Sequence, residues 1–126
     1  MTEKEKLYET LGELLYVVAK SDGVIQDAER EALQSLLKDH AWAEQIEWSF
    51  NDEEAQDADI DDLYKKVISI CHRLGPSPEY AEFIEAMKTI ATAADGIDAA
   101  ERKVMNSFSK DLIARFQNDI DNMKTE

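Results

Sequence analysis

The sequence predicts an all-α protein, an antiparallel bundle of about six helices in a single domain. Three observations lead there. Apolar residues recur every three or four positions along most of the chain, and no segment alternates with period two. Glycine and proline are scarce, at four and two residues, which disfavours a turn-rich β fold. The chain has 126 residues, 44% of them hydrophobic, enough for one packed core.

Leu7, Leu11, Leu14, Leu15 and Val18 define the first helix, and Tyr8, Tyr16 and Val17 widen its apolar face. It is expected to stop at Ser21-Asp22-Gly23, where Gly23 can take the left-handed conformation. A second helix runs from Asp27, lined by Ala28, Ala32, Leu33, Leu36 and Leu37, and ends near Asp39-His40. A short third helix from Ala41 to about Phe50 presents Trp42, Ile46 and Phe50. The stretch Asn51 to Asp62 breaks the pattern, because seven of its twelve residues are acidic. Like charges so close together predict a loop, part of it mobile. Asp59 can cap the next helix, and Asp61 and Asp62 suit its positive N-terminal end.

Leu63, Val67, Ile70, Cys71 and Leu74 mark the fourth helix, which Gly75-Pro76-Ser77-Pro78 ends. The fifth carries Tyr80, Phe83, Ile84, Met87, Ile90, Ala91 and Ala94 and ends at Asp95-Gly96. The last runs from near Ala99 towards Met123, with Met105, Phe108, Leu112, Phe116, Ile120 and Met123 on its stripe.

Lysine and arginine total 14 and aspartate and glutamate 28, a formal charge of −14. Such an excess repels nucleic acid and anionic membrane surfaces and suits solubility, cations or a basic protein partner. Cys71 is the only cysteine, so no internal disulfide forms. The charged start, Met-Thr-Glu-Lys-Glu-Lys, lacks the apolar core of a signal peptide, and no run is long enough for membrane insertion. The expected location is the cytoplasm.

Two stretches of the chain look alike. Ala19-Lys-Ser-Asp-Gly-Val-Ile-Gln-Asp-Ala-Glu-Arg30 aligns with Thr92-Ala-Ala-Asp-Gly-Ile-Asp-Ala-Ala-Glu-Arg102 once one residue is deleted from the second. Asp22 then matches Asp95, Gly23 matches Gly96, Ile25 matches Ile97, Glu29 matches Glu101 and Arg30 matches Arg102. Self-similarity of this kind predicts two pseudo-symmetric helix–Asp-Gly–helix repeats. The single domain, residues 1–126, divides into repeat one at about 3–39, the acidic loop at about 51–62 and repeat two at about 79–111. Asp98-Ala-Ala-Glu101 has capping-box spacing, whereas Gln26 is a poorer cap in the first unit.

At these residues the chain resembles the TerB-like family, named for bacterial tellurite-resistance proteins. A related domain occurs in some DnaJ-like co-chaperones. The shared pattern is an alanine-rich helix, Asp-Gly, a hydrophobic residue, then Glu after a short gap, occurring twice. Here it is Asp22-Gly23-Val24-Ile25 with Glu29, and Asp95-Gly96-Ile97 with Glu101. The resemblance implies a helical bundle with pseudo-two-fold character. It also implies a link to stress response or tellurite resistance in some members, and no established catalytic reaction. The acidic stretch and the Trp42/Trp48 segment fall outside the pattern.

Asp22, Glu29, Asp95 and Glu101 are the candidate site. If the two turns lie side by side, their carboxylates could hold a hard divalent cation, Ca²⁺ or Mg²⁺. The competing reading is that each Asp-Gly is a turn linking two helices. Asp57-Ala-Asp59-Ile-Asp61 opens like an EF-hand loop, but Asp62 takes the glycine position and Ile68 the bidentate glutamate position. Cys71 falls on an apolar stripe, and with only His40 and His72 available the chain lacks the ligands of a zinc site. No catalytic residue and no cofactor-binding loop stands out. Trp42, Trp48 and Phe50 either form an exposed partner patch or close one end of the core.

The expected function is therefore non-enzymatic: protein interaction or a metal-linked stress response. The alternative is a co-chaperone-like or scaffold module that binds a protein partner and no metal. The sequence leaves the oligomeric state open.

Overall fold

A computed structural model describes residues 2–21, 23–75, 79–93, 102–104, 106–108 and 110–111. Helix α1 (Glu3–Lys20) starts where the Thr2 hydroxyl accepts the Glu5 N–H at 3.1 Å. Helix α2 spans Asp27–Leu37, α3 Ala43–Ala55, α4 Ile60–Leu74 and α5 Glu79–Ala91. Residues 102–104, 106–108 and 110–111 are helical too. No strand occurs among the described residues, so the all-α expectation holds. Helix α4 stops at Gly75, at φ +82°, where the sequence places its end; Pro76-Ser77-Pro78, Asp95-Gly96 and most of the last stripe lie outside the described residues.

Helix α1 is the axis of the molecule. It is buried nearly all round from Leu7 to Ala19, Thr10, Gly12 and Glu13 included, and it packs on α3, α4 and α5. The apolar face read from sequence is therefore only part of its contact surface. Tyr8 stacks on Trp42 and Tyr16 meets Phe50 edge-on, so α1 and α3 run in the same direction. Gly12 sits at their crossing. A Cβ there would lie 2.3 Å from the Ile46 carbonyl oxygen, so only glycine permits this approach. The Ser49 hydroxyl donates to the Glu9 carbonyl at 2.6 Å beside it. Lys4–Glu79 and Tyr8–Glu82 contacts show that α5 also runs parallel to α1. Consecutive α3, α4 and α5 alternate in direction, since Tyr16 reaches Ala58 while Glu13 reaches Lys66.

The acidic stretch departs from its expectation. Residues 51–55 continue α3, and α4 begins at Ile60. Only a short corner separates the two helices. Asp57 takes φ +49°, its N–H bonds the Glu54 carbonyl and the Ala58 N–H bonds the Glu53 carbonyl. This is the paired hydrogen-bond pattern of a left-handed helix stop, with Asp in the place glycine usually takes. Asp59 then caps α4 as expected, accepting the Asp62 N–H at 3.0 Å. Local hydrogen bonds and an ion pair to α2, described below, offset the charge repulsion on which the loop expectation rested.

Candidate functional site

The first Asp-Gly unit leaves α1 through Ser21, whose hydroxyl donates to the Val18 carbonyl at 2.7 Å. Gly23 adopts φ +99° with open space around its Cα, so the backbone conformation, not crowding, calls for glycine. Its N–H bonds the Lys20 carbonyl at 2.8 Å. Ile25 packs against the core, as the repeat pattern implies. Helix α2 then starts with Glu29 folded back: its Oε1 accepts the Gln26 N–H at 2.9 Å. Glu29 is buried, at 2% exposure.

Beside this turn lies a cavity of about 240 Å³, lined by Tyr16, Lys20, Ile25, Arg30, Glu54 and Asp57 among others. The Arg30 guanidinium forms a two-pronged ion pair with the Glu54 carboxylate, one prong 2.9 Å long. The hydrogen bond from Arg30 holds the Glu54 carboxyl below its ordinary range. Lys20 and Asp57 pair more loosely across the rim, at 3.9 Å. The Tyr16 hydroxyl donates to the Ala58 carbonyl at 3.3 Å, and burial first, then Asp57, Glu54 and Glu53, raise its pKa. The turn is thus tied to the corner between α3 and α4.

Of the four acids read as a cation site, Glu29 alone falls within the described residues, and one of its oxygens is committed to the helix cap. Asp22, Asp95 and Glu101 lie outside them. Among the described residues, no group of three or more His, Cys, Asp and Glu side chains is arranged to hold a metal ion.

Other ionisable groups are held in structural roles. Because the Trp42 N–H can only donate, it fixes His40 Nδ1 as an acceptor, at 2.9 Å. The proton then sits on Nε2, which donates to Glu82 Oε1 at 2.6 Å. The Tyr8 hydroxyl donates to the other Glu82 oxygen at 3.1 Å. Burial first, and Glu82 next, push Tyr8 up to about 12. Cys71 is fully buried, and burial pushes its thiol up to about 11, so it stays a protonated, unreactive core residue.

Sequence reasoning passed over Glu13. It is 5% exposed on the central helix, and its Oε2 has no hydrogen-bond partner. Its Oε1 is 3.4 Å from Lys66 Nζ, a side chain half in solvent. Burial raises the Glu13 pKa more than Lys66 lowers it. The available signal was an acid flanked by Leu11, Leu14, Leu15 and Tyr16 on a helix with too many apolar residues for one face. A raised folded pKa means that folding favours the protonated form. Glu13 therefore contributes stability below the unfolded carboxylate range and loses it as pH rises through the folded value. The Glu13→Gln variant is expected to be more stable than wild type by about 1 kcal/mol near pH 7. Near pH 4 the difference should vanish, since both side chains are then largely neutral. Thermal melts at the two pH values read this out, and a less stable variant near pH 7 would show that the Lys66 pairing outweighs burial.

The fold and the turn define a helical bundle domain wound round a buried first helix, with an Asp-Gly unit leading from it. The family model for tellurite resistance protein TerB matches residues 9–116, and the chain belongs to that family. No curated protein and no solved structure matches it. No described helix is long and apolar enough to cross a membrane.

Proposed function

We propose that this TerB-family chain works by binding a protein partner, without catalysis, in the stress-response setting that the family description suggests. One observation carries the reading. The described side chains best suited to chemistry are committed to structure: Glu29 to a helix cap, His40 to Trp42 and Glu82, and Cys71 to the core. What remains available to other molecules is a strongly acidic exterior on a chain of charge −14.

A second reading keeps a divalent cation, Ca²⁺ or Mg²⁺, on Asp22, Glu29, Asp95 and Glu101. Its support is the parallel packing of α1 and α5, the helices that precede Asp22-Gly23 and Asp95-Gly96 in sequence. Calorimetric titration with Ca²⁺, Mg²⁺, Mn²⁺ and Zn²⁺ separates the two. The expected result is no saturable heat, and a folded but unchanged Asp22→Ala/Asp95→Ala variant. Saturable binding in wild type that the double variant loses would establish the cation reading instead.

A further inference from the structure

The outward face of α3 carries the most specific binding feature of the described surface. Ile46, Ser49 and Phe50 turn inward. Glu44, Trp48, Asn51 and Ala55, spaced four, three and four residues apart, form one exposed stripe. Trp48 is 62% exposed, and the only other exposed large hydrophobic side chain among the described residues is Val24. The companion aromatics do not share this exposure. Trp42 is half-buried against Tyr8, and Phe50 is buried against Tyr16. The trio grouped together in the sequence therefore splits, and Trp48 is the member left outside.

The charged residues on the helix that carries Trp48 are all of one sign. Helix α3 contains Glu44, Glu47, Asp52, Glu53 and Glu54 and no lysine or arginine. Glu44 lies one turn before Trp48, Asp52 one turn after it, and Glu47 beside it in sequence. Glu54 is neutralised by Arg30. Among the described residues, Glu44 and Glu47 have no ion-pair partner, and Asp52 has only the Gln56 amide, at 2.9 Å.

We propose that this face of α3 docks a basic, arginine- or lysine-rich segment of a partner protein, with Trp48 as its anchor. This rests on the protein-binding reading above and names its surface and chemistry. An exposed indole with unpaired carboxylates beside it on the same helix matches a cationic side chain in two ways. The ring face attracts the cation, and the carboxylates neutralise it. Tryptophan and arginine are also the residues that most often carry interface energy. Nucleic acid and anionic lipid have the wrong sign. A second copy of this chain fits poorly, because a two-fold contact would set this acidic face against an identical acidic face.

The test titrates the full chain with two short synthetic peptides matched in leucine content, one arginine-rich and one with glutamate in place of each arginine. Binding is followed by calorimetry and tryptophan fluorescence at low and high salt. Glu44 and Trp48 are exposed and Glu47 is half-buried, so circular dichroism should confirm unchanged folding of every variant. The arginine peptide is expected to bind and the glutamate peptide not to bind. Trp48→Ala should weaken binding about tenfold. Glu44→Gln/Glu47→Gln should weaken it several-fold and flatten its salt dependence. Glu31→Gln/Glu85→Gln, which removes the same charge from α2 and α5, should leave it within about twofold.

Three results would overturn the assignment. Equal losses in the α3 and control variants would mean diffuse charge attraction. Binding insensitive to Trp48→Ala would move the partner site off α3 while leaving the protein-binding reading intact. Absence of arginine-peptide binding, with a concentration-dependent dimer that Trp48→Ala abolishes, would assign the face to self-association.

Discussion

Replacing Gly12 with alanine is expected to destabilise the protein by roughly 3 kcal/mol. The sign is the informative part. In an ordinary helix interior this substitution stabilises by about 1 kcal/mol, because alanine loses less backbone entropy. Here the new methyl would meet Ile46 O at 2.3 Å, Ser49 Cβ at 2.9 Å and the Ile46 carbonyl carbon at 3.2 Å. Two of those three atoms are backbone, so no rotamer change relieves the contact. Helix α3 would have to move away from α1 along its most extensive interface. The movement would stretch the Ser49–Glu9 hydrogen bond and unseat Phe50 from Tyr16. Chemical denaturation measures the loss. Trimming Ser49 should not rescue the variant, since the closest atom belongs to the Ile46 main chain. An alanine variant as stable as wild type would mean that the two helices do not cross this closely.

Gly12 also shows what the sequence could and could not reveal. The periodic stripes of α1, α4 and α5 were legible because burial and helical spacing leave the same mark on the chain. The Asp59 cap and the Cys71 core position were legible for the same local reason. Gly12 was not, because nothing within its own helix calls for a glycine; the requirement comes from a carbonyl 34 residues later. The end of α3 was misread because a run of acids signals repulsion, while the offsetting Arg30–Glu54 pair joins residues 24 apart. Glu13 was hidden by its neighbours, since burial on every side of α1 depends on how many helices surround it. At the candidate site, Gly23 takes the left-handed conformation and Ile25 packs on the core, as the sequence led one to expect. The sequence could not show that Glu29 spends an oxygen on the Gln26 N–H, a choice made by the start of α2.

The organisation around α1 bears on how binding and stability divide within the fold. Among the described residues, the ionisable groups that tie helices together include Lys4–Glu79, Glu13–Lys66, Arg30–Glu54, Tyr64–Asp111 and the His40–Glu82–Tyr8 set. The exposed side of α3 takes no part in them. Substitutions there should change recognition with little effect on folding, whereas substitutions on its inner face should do the reverse.

The inner packing has its own focus in Phe83, and Phe83→Ala is expected to cost about 3–5 kcal/mol. The ring is fully buried and, among the described residues, has aromatic neighbours in α1, in α5 and at position 108. Tyr80 meets it edge-on at 5.5 Å, Tyr8 of α1 lies at 6.4 Å, and Phe108 stacks at 6.5 Å. Truncation removes the transfer energy of the ring and leaves a cavity whose walls cannot collapse together, because Tyr8 is held by Glu82 and Tyr80 by the Cys71 and Gly75 carbonyls. Phe83→Leu fills most of that space and should cost far less, about 1 kcal/mol. The Phe108 contact gives the prediction a direction. It is a bridge from α5 to the helical residues beyond position 101, and in sequence it brackets Asp95 and Glu101. Hydrogen exchange in the Phe83→Ala variant should therefore rise more at residues 102–111 than in α3, which packs chiefly on α1. A uniform rise across all helices would instead mean that the last segment and the α1–α3 pair unfold as one cooperative unit, and a Phe83–Phe108 double-mutant cycle with no coupling would show that the stacked contact is not what joins them.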